Sequence, residues 1–470
     1  MFKFLKSIWR KSNLVFSDDK KTLLECTDKK ITRVIIPDGV TKIGEFVFCR
    51  CTSLTSVTIP DSVTGIGALA FSNCTSLTNV VIPDGVTEIG ERAFSNCTSL
   101  TSVVIPDGVT EIGRDAFCGC SSLTSVVIPD GVTEIGKNAF ICCKNLTSVV
   151  IPDSVTGIGE NAFSCCSSLT SVVIPDGVTE IGRDAFCGCS SLTSVIIPDS
   201  VIDIGKGAFT GIQQIISKNK KFRVDEQGGL IDTDLQTLLY VPPCTTEYVI
   251  PDSVTEIGER AFYHCSSLTS VVIPDGVTGI GERAFWDCSR LTTVDIPDSV
   301  TKIGQEAFWG CESLTDIVIP NNVSEIGENA FWECKSLTSA VIPNSVTKIG
   351  QGAFAGVQQI ISNNKKFKVY ELGELIDTDS RRLLYVPPCT TVYVIPYSVT
   401  EIGRRAFAFC YSLTTVVIPY NVTKIGASAF YHCSSLTSVV IPDSVTKIGL
   451  WAFEDCPCKN ELKKKYPHLF

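Results

Sequence analysis

Leu123-Thr124-Ser125-Val126-Val127-Ile128-Pro129-Asp130-Gly131-Val132-Thr133-Glu134-Ile135-Gly136-Lys137-Asn138-Ala139-Phe140-Ile141-Cys142-Cys143-Lys144-Asn145 is one 23-residue unit, and most of the 470-residue chain repeats it. Ile-Pro occurs sixteen times, and the prolines from Pro37 to Pro198, Pro251 to Pro343 and Pro396 to Pro442 are always 23 residues apart. A fixed period of this size means that each unit is a single supersecondary coil. Such a coil cannot bury its apolar face alone and must stack on its neighbours.

The local pattern predicts how one coil is built. Leu123 to Ile128 is rich in β-branched residues and alternates with period two, so it reads as a strand with Leu123, Val126 and Ile128 facing the core. Pro129 ends the strand, where a missing N–H is tolerated, and Asp130-Gly131 supplies a turn. Val132 to Gly136 reads as a second short strand whose glycine permits close approach of adjacent coils. Lys137-Asn138-Ala139-Phe140 reads as a helical turn that drops Phe140 into the core. Equivalent side chains then stack as ladders at the strand spacing of roughly 4.8 Å, one phenylalanine per coil from Phe48 onward to Phe453.

The spacing Leu123-x-x-Val126-x-Ile128 matches the strand signature of leucine-rich repeats. The fuller pattern I-P-x-x-V-x-x-I-G-x-x-A-F-x-x-C-x-x-L resembles the BspA-like subclass over about residues 31–458. The resemblance implies a leucine-rich-repeat solenoid, a right-handed β/α superhelix that is mostly β with short helical turns. It also implies a non-enzymatic role in binding proteins or surfaces, often adhesion, without naming the partner.

Two insertions break the period. From Pro198 to Pro251 and from Pro343 to Pro396 the step is 53 residues, one repeat plus 30. Gln213-Gln214-Ile215-Ile216-Ser217 recurs as Gln358-Gln359-Ile360-Ile361-Ser362, so a block of 145 residues was duplicated whole. Each insert, about 212–247 and 357–392, reads as a β-hairpin or small meander that projects from the coil stack or lies over its edge. Leu14 to Glu25 faintly copies that hairpin and is expected to cap the first coil. The expected organisation is a basic N-terminal segment and cap (1–30), a continuous solenoid (31–458) and a basic tail (459–470).

Composition excludes several function classes. With a net charge of −10 and no clustered basic face, the chain lacks the electrostatic footprint that phosphate binding requires, so no nucleic-acid partner is expected. Phe2 to Lys11 could touch an anionic membrane as a short basic amphipathic helix, but it is too short and too charged for a signal peptide or a membrane span. The lack of an export signal and the abundant free cysteine point to the cytoplasm, whereas the family resemblance points to the cell surface.

Fourteen of the 23 cysteines, from Cys51 to Cys456, fall three residues after a coil phenylalanine. A position set by the repeat is a packing position, so these are expected to be reduced, buried thiols. Pairs such as Cys118/Cys120 lack the C-x2-C spacing of zinc sites, and no metal or cofactor is expected. The three histidines do not converge, and the glutamates Glu88, Glu111, Glu134 and Glu180 share one solvent column, so no catalytic residue is assigned and no enzymatic activity is expected.

Two exposed columns remain as candidate binding residues. The position two before the proline should point outward, yet it is Val or Ile in fourteen of sixteen repeats, including Val81, Val104, Val127, Val150 and Val173. Such a stripe is either an interaction face or a consequence of the preference of β-branched residues for a pleated ladder. The position after the core phenylalanine is Tyr263, Trp286, Trp309 and Trp332 in four successive coils, against Ser72, Ser95 or Ala355 elsewhere. These rings should stack, either as a binding strip or as a cover for the phenylalanines. The function expected is a non-catalytic scaffold for protein or cell-surface binding. The alternatives are a self-assembling structural rod and a binder of carbohydrate or a surface lattice.

Overall fold

The computed structural model describes residues 13–469. It divides into two compact units, Met1–Thr233 and Asp234–Phe470.

In the first unit the two strands of each coil build two parallel ladders. Short strands from Lys42–Ile43 through Asp203–Ile204 pair side by side, opened by the antiparallel pair Leu14–Phe16 and Thr22–Cys26, in a ten-stranded sheet. Strands from Arg33–Ile35 to Ser148–Val150 form a six-stranded sheet. Register follows the repeat, with Glu111 opposite Glu134 and Ser125 opposite Ser148. Leu123, Val126 and Ile128 are buried as the alternation requires. The phenylalanines stack with centroids 5.1 to 6.0 Å apart from Phe48 to Phe209.

The second unit has the same construction. Thr237–Tyr240 leads a parallel series that runs from Glu256–Ile257 to Lys348–Ile349, and after the insert Arg382–Tyr385 leads another, from Glu401–Ile402 to Lys447–Ile448. Where the phenylalanine ladder restarts, Tyr248 and Tyr393 meet Phe262 and Phe407 edge-on, each at 5.4 Å.

One expectation is corrected. The turn at Lys137–Phe140 is not helical. The N–H groups of Asn138, Phe140 and Cys142 donate to Glu160, Ala162 and Ser164 of the next coil, while those of Ala139, Ile141 and Cys143 donate three residues back. This alternation demands left-handed backbone at Asn138 and Cys142 (φ 57° and 61°), which an α-helix forbids. Among the described residues the single α-helix is Lys459–Lys465 in the tail, with Leu462 buried.

The inserts take the meander form and lie against the ladder edges. Gln359–Ser362 pairs in parallel with Ser339–Ile342, with Ala340 opposite Ile360. The chain then forms an antiparallel meander, Phe367–Val369, Leu375–Asp377 and Arg382–Tyr385, whose last strand begins the next parallel ladder. The reason is backbone satisfaction: each exposed ladder edge finds a partner strand instead of water. In the first unit, Ile215–Ser217 pairs with Val195–Ile197 and Phe222–Val224 with Leu230–Asp232 in the same manner.

Candidate binding surfaces

Every second position of the strand at Ser125–Val127 faces water, because its residues alternate exposed, buried, exposed. The same pattern in neighbouring coils brings Val81, Val104, Val127, Val150 and Val173 onto one face at 58 to 76% exposure. Thr58 and Asp295 are the polar interruptions of this column, and both are exposed.

The aromatic column lies in the second unit. Tyr263 and Trp286 stack at 5.9 Å, Trp286 and Trp309 at 4.3 Å, and Trp309 and Trp332 tilt by 47° at 5.7 Å. The left-handed turn sets this column, since it aims the residue after each buried phenylalanine away from the core. Guanidinium groups line it: Arg260 lies 5.8 Å from the Tyr263 ring centre and Arg283 lies 5.2 Å from that of Trp286. Arg283 is in turn held by Glu306, Nε to Oε2 at 2.6 Å.

The four rings are not equivalent. Tyr263, Trp286 and Trp309 are half-buried, but Trp332 is only 2% exposed. It is enclosed by Ala355, Ala408 and Phe409, with Tyr431 at 6.2 Å. Phe409 and Tyr431 belong to coils beyond the second insert, so residues 77 and 99 positions after Trp332 in the sequence close the end of the strip. Arg405 lies over Trp332 at 3.6 Å and near Trp309 at 5.3 Å, and burial pulls its pKa down to about 10, helped by the adjacent Arg404. Arg404 itself pairs with Glu328.

Sequence reasoning did not find Arg405, Tyr431 or Trp451 as neighbours of the strip. The signal for Arg405 and Trp451 was the column two before the phenylalanine, which reads Arg405, Ser428 and Trp451 in the last three coils, while Tyr431 follows Phe430 in the column of the tryptophans themselves. Only the insert's geometry brings that column to the tryptophans.

Other reactive groups are accounted for by the repeat. Where a phenylalanine coil precedes it, a column thiol donates to that phenylalanine's carbonyl, as Cys120 Sγ does to Phe94 O at 3.2 Å, whereas Cys265 and Cys410, each just after an insert, donate to the carbonyls of Val241 and Pro242 and of Val386 and Pro387. All fourteen are buried and unbridged. His264 Nδ1 meets Asp287 Oδ2 of the next coil at 2.7 Å, and His432 meets Asp455 likewise. The basic segment from Phe2 to Lys11 lies outside the described residues.

Stacked parallel strands, a phenylalanine ladder and a broad side-chain-bearing face define a leucine-rich-repeat solenoid of the kind that presents a surface. Comparison with known proteins specifies the kind: the chain belongs to the BspA-type leucine-rich-repeat family, whose six-copy family model matches residues 25–146, 94–216, 240–361 and 388–464. The family and its fold are non-catalytic in general. The chain is 34% identical to a crystallised leucine-rich cell surface protein from Faecalibacterium prausnitzii A2-165, with a TM-score of 0.60 over 75% of this chain and 93% of that one. It is 31% identical to a leucine-rich repeat protein from Bacteroides ovatus, covering 74% of this chain and 92% of that one with a TM-score of 0.48. No curated protein matches the chain.

Proposed function

We propose that the chain is a non-catalytic scaffold that binds a protein or cell-surface ligand through its exposed aliphatic stripe. The observation that carries this reading is the run of Val81, Val104, Val127, Val150 and Val173 in open solvent at one-coil spacing. Isolated exposed valines need no explanation, but a contiguous aliphatic file on a soluble protein marks an interaction site. The cell-surface description of the Faecalibacterium relative supports the same reading. Tyr263, Trp286 and Trp309 offer a second, aromatic contact of the type enriched at binding hot spots.

The test replaces Val104, Val127 and Val150 with Lys in the full chain. These side chains are exposed, so the circular dichroism spectrum and melting temperature stay those of the parent, while partners captured by the parent and identified by mass spectrometry are lost. Undiminished capture by the folded variant overturns the stripe as the binding face. The uniformity of the stripe also favours pairing of one chain with another. In that case sedimentation velocity shows concentration-dependent assembly of the parent that the lysine variant lacks.

A further inference from the structure

The aromatic column of the second unit ends at a cavity of about 390 Å³ walled by Trp309, Trp332, Tyr431 and Trp451. That volume lies in the range of small-molecule sites, and rings combined with a few placed polar groups are the usual make-up of such sites. An open recess of this size suits a small ligand better than a flat protein face.

The unusual member of the lining is Arg405. It is held by ring stacking on Trp332 and not by acceptors, and its Nε and Nη1 are buried without a hydrogen-bond partner. Of the other charges nearby, Arg404 pairs with Glu328 and the Glu454 carboxylate takes Lys459 Nζ at 2.6 Å, while Glu333 shares the lining with Arg405. Glu306, Glu328 and Glu333 act on Arg405 only through space, so its desolvated guanidinium keeps unused donors, and the acceptor they suit best is a planar carboxylate. Glu333, Glu454 and Ser428 add oxygen acceptors to the same lining. A bare carboxylate would face those oxygens with no donor to offer, so the ligand must carry hydroxyls as well as the acid. At the rim, the Trp451 ring is 66% exposed and free to take the C–H face of a ring.

We propose that this cavity binds an acidic monosaccharide unit, a hexuronate or a sialate, with its carboxylate on Arg405, its hydroxyls on Glu333, Ser428 and Glu454, and its ring against Trp451. The site uses no residue of the valine stripe that carries the proposed function and shares only Trp309 with its second, aromatic contact, so the two readings fail separately.

Titration calorimetry and tryptophan fluorescence of the full chain with sodium glucuronate and sodium N-acetylneuraminate test it. Glucose and phenylalanine serve as comparison ligands. At least one acid binds saturably in the millimolar range expected for so small a ligand. Affinity falls ~10-fold or more in Arg405→Gln, the loss expected for a charge-assisted hydrogen bond, and comparably in Trp451→Ser. Because Arg405 packs on Trp332, the melting temperature of its variant is recorded alongside. Trp451→Ser removes an exposed ring, so it keeps the fold and isolates the contact. The proposal is overturned if neither acid binds the parent, if both variants bind as well as the parent, or if glucose binds as tightly as glucuronate. Tighter binding of phenylalanine than of either sugar also overturns it and makes the cavity an amino-acid site.

Discussion

Single residues hold the coils at their spacing. A Cβ added at Gly136 would lie 2.5 Å from the carbonyl oxygen of Ile112 in the coil below, whereas one added at Gly65 meets nothing within 4 Å. Gly136→Ala should therefore destabilise the protein by roughly 1–3 kcal/mol through overpacking, and Gly65→Ala should leave the denaturation midpoint unchanged. Equal midpoints for the two variants would contradict the argument. Asn364 is a second fixed point, one that no repeat column singles out. Its Nδ2 donates to the carbonyls of Pro343 and Val346 at 3.0 and 2.8 Å, and its Oδ1 accepts from the N–H groups of Lys366 and Phe367. Asn219 repeats the arrangement in the first insert, with bonds to Pro198 and Val201. Asn364→Ala strands several buried backbone groups at once, at a cost of about 1–3 kcal/mol, measurable as a lowered midpoint in urea.

At the scale of the element, the turn after each short strand explains why the cysteine column exists. The alternating hydrogen bonds leave the phenylalanine carbonyl free on its inner side, and the thiol of the next coil donates to it, as Cys97 Sγ does to Phe71 O at 3.2 Å. Burial pushes the thiols of Cys74, Cys120 and Cys189 up to about 12. An unfolded thiol ionises near 8.5. The native state thus keeps its protons where the unfolded state loses them. The thiols' contribution to stability is complete below about pH 8.5 and is lost as pH rises towards 12, by about 1.4 kcal/mol per pH unit for each such thiol. Melting temperature should fall steeply above pH 9; a flat profile to pH 10.5 would show that the column is not buried in solution. In the native protein at neutral pH, iodoacetamide should label Cys165, Cys244 and Cys389, which are exposed, and spare the fourteen column thiols until denaturant is added. Threonines form a comparable ladder. Thr101 Oγ1 donates to Thr78 O and Thr124 Oγ1 to Thr101 O, so columns that look merely polar in sequence also tie coil to coil.

At the scale of the whole molecule, charge limits the partners. With a net charge of −10 and basic side chains spread among acidic ones, the chain should give no mobility shift with double-stranded DNA at 150 mM salt, because no set of phosphates can be neutralised together. The candidate surfaces were legible to different degrees. The exposure of Val81 to Val173 followed from strand alternation alone, and the stacking of Tyr263, Trp286 and Trp309 followed from their common column. The burial of Trp332 did not. Its cover comes from Phe409 and Tyr431, and no period relates those residues to it, because 30 inserted residues intervene.

The sequence by itself determined what is periodic: the stacked parallel coils, the core columns of Leu, Val, Ile, Phe and Cys, and the outward valines. A 23-residue period forces equivalent atoms into equivalent places, so local chemistry propagates along the stack without further information. Tertiary structure alone decided what is aperiodic. The left-handed alternating turn depends on hydrogen bonds to the next coil, which a single unit cannot reveal. The strand pairing of the inserts depends on ladder edges that exist only once the coils have stacked. The unpartnered guanidinium of Arg405 on Trp332 arises where coils on either side of an insert meet, a contact fixed by the geometry of that junction and by nothing local in the chain.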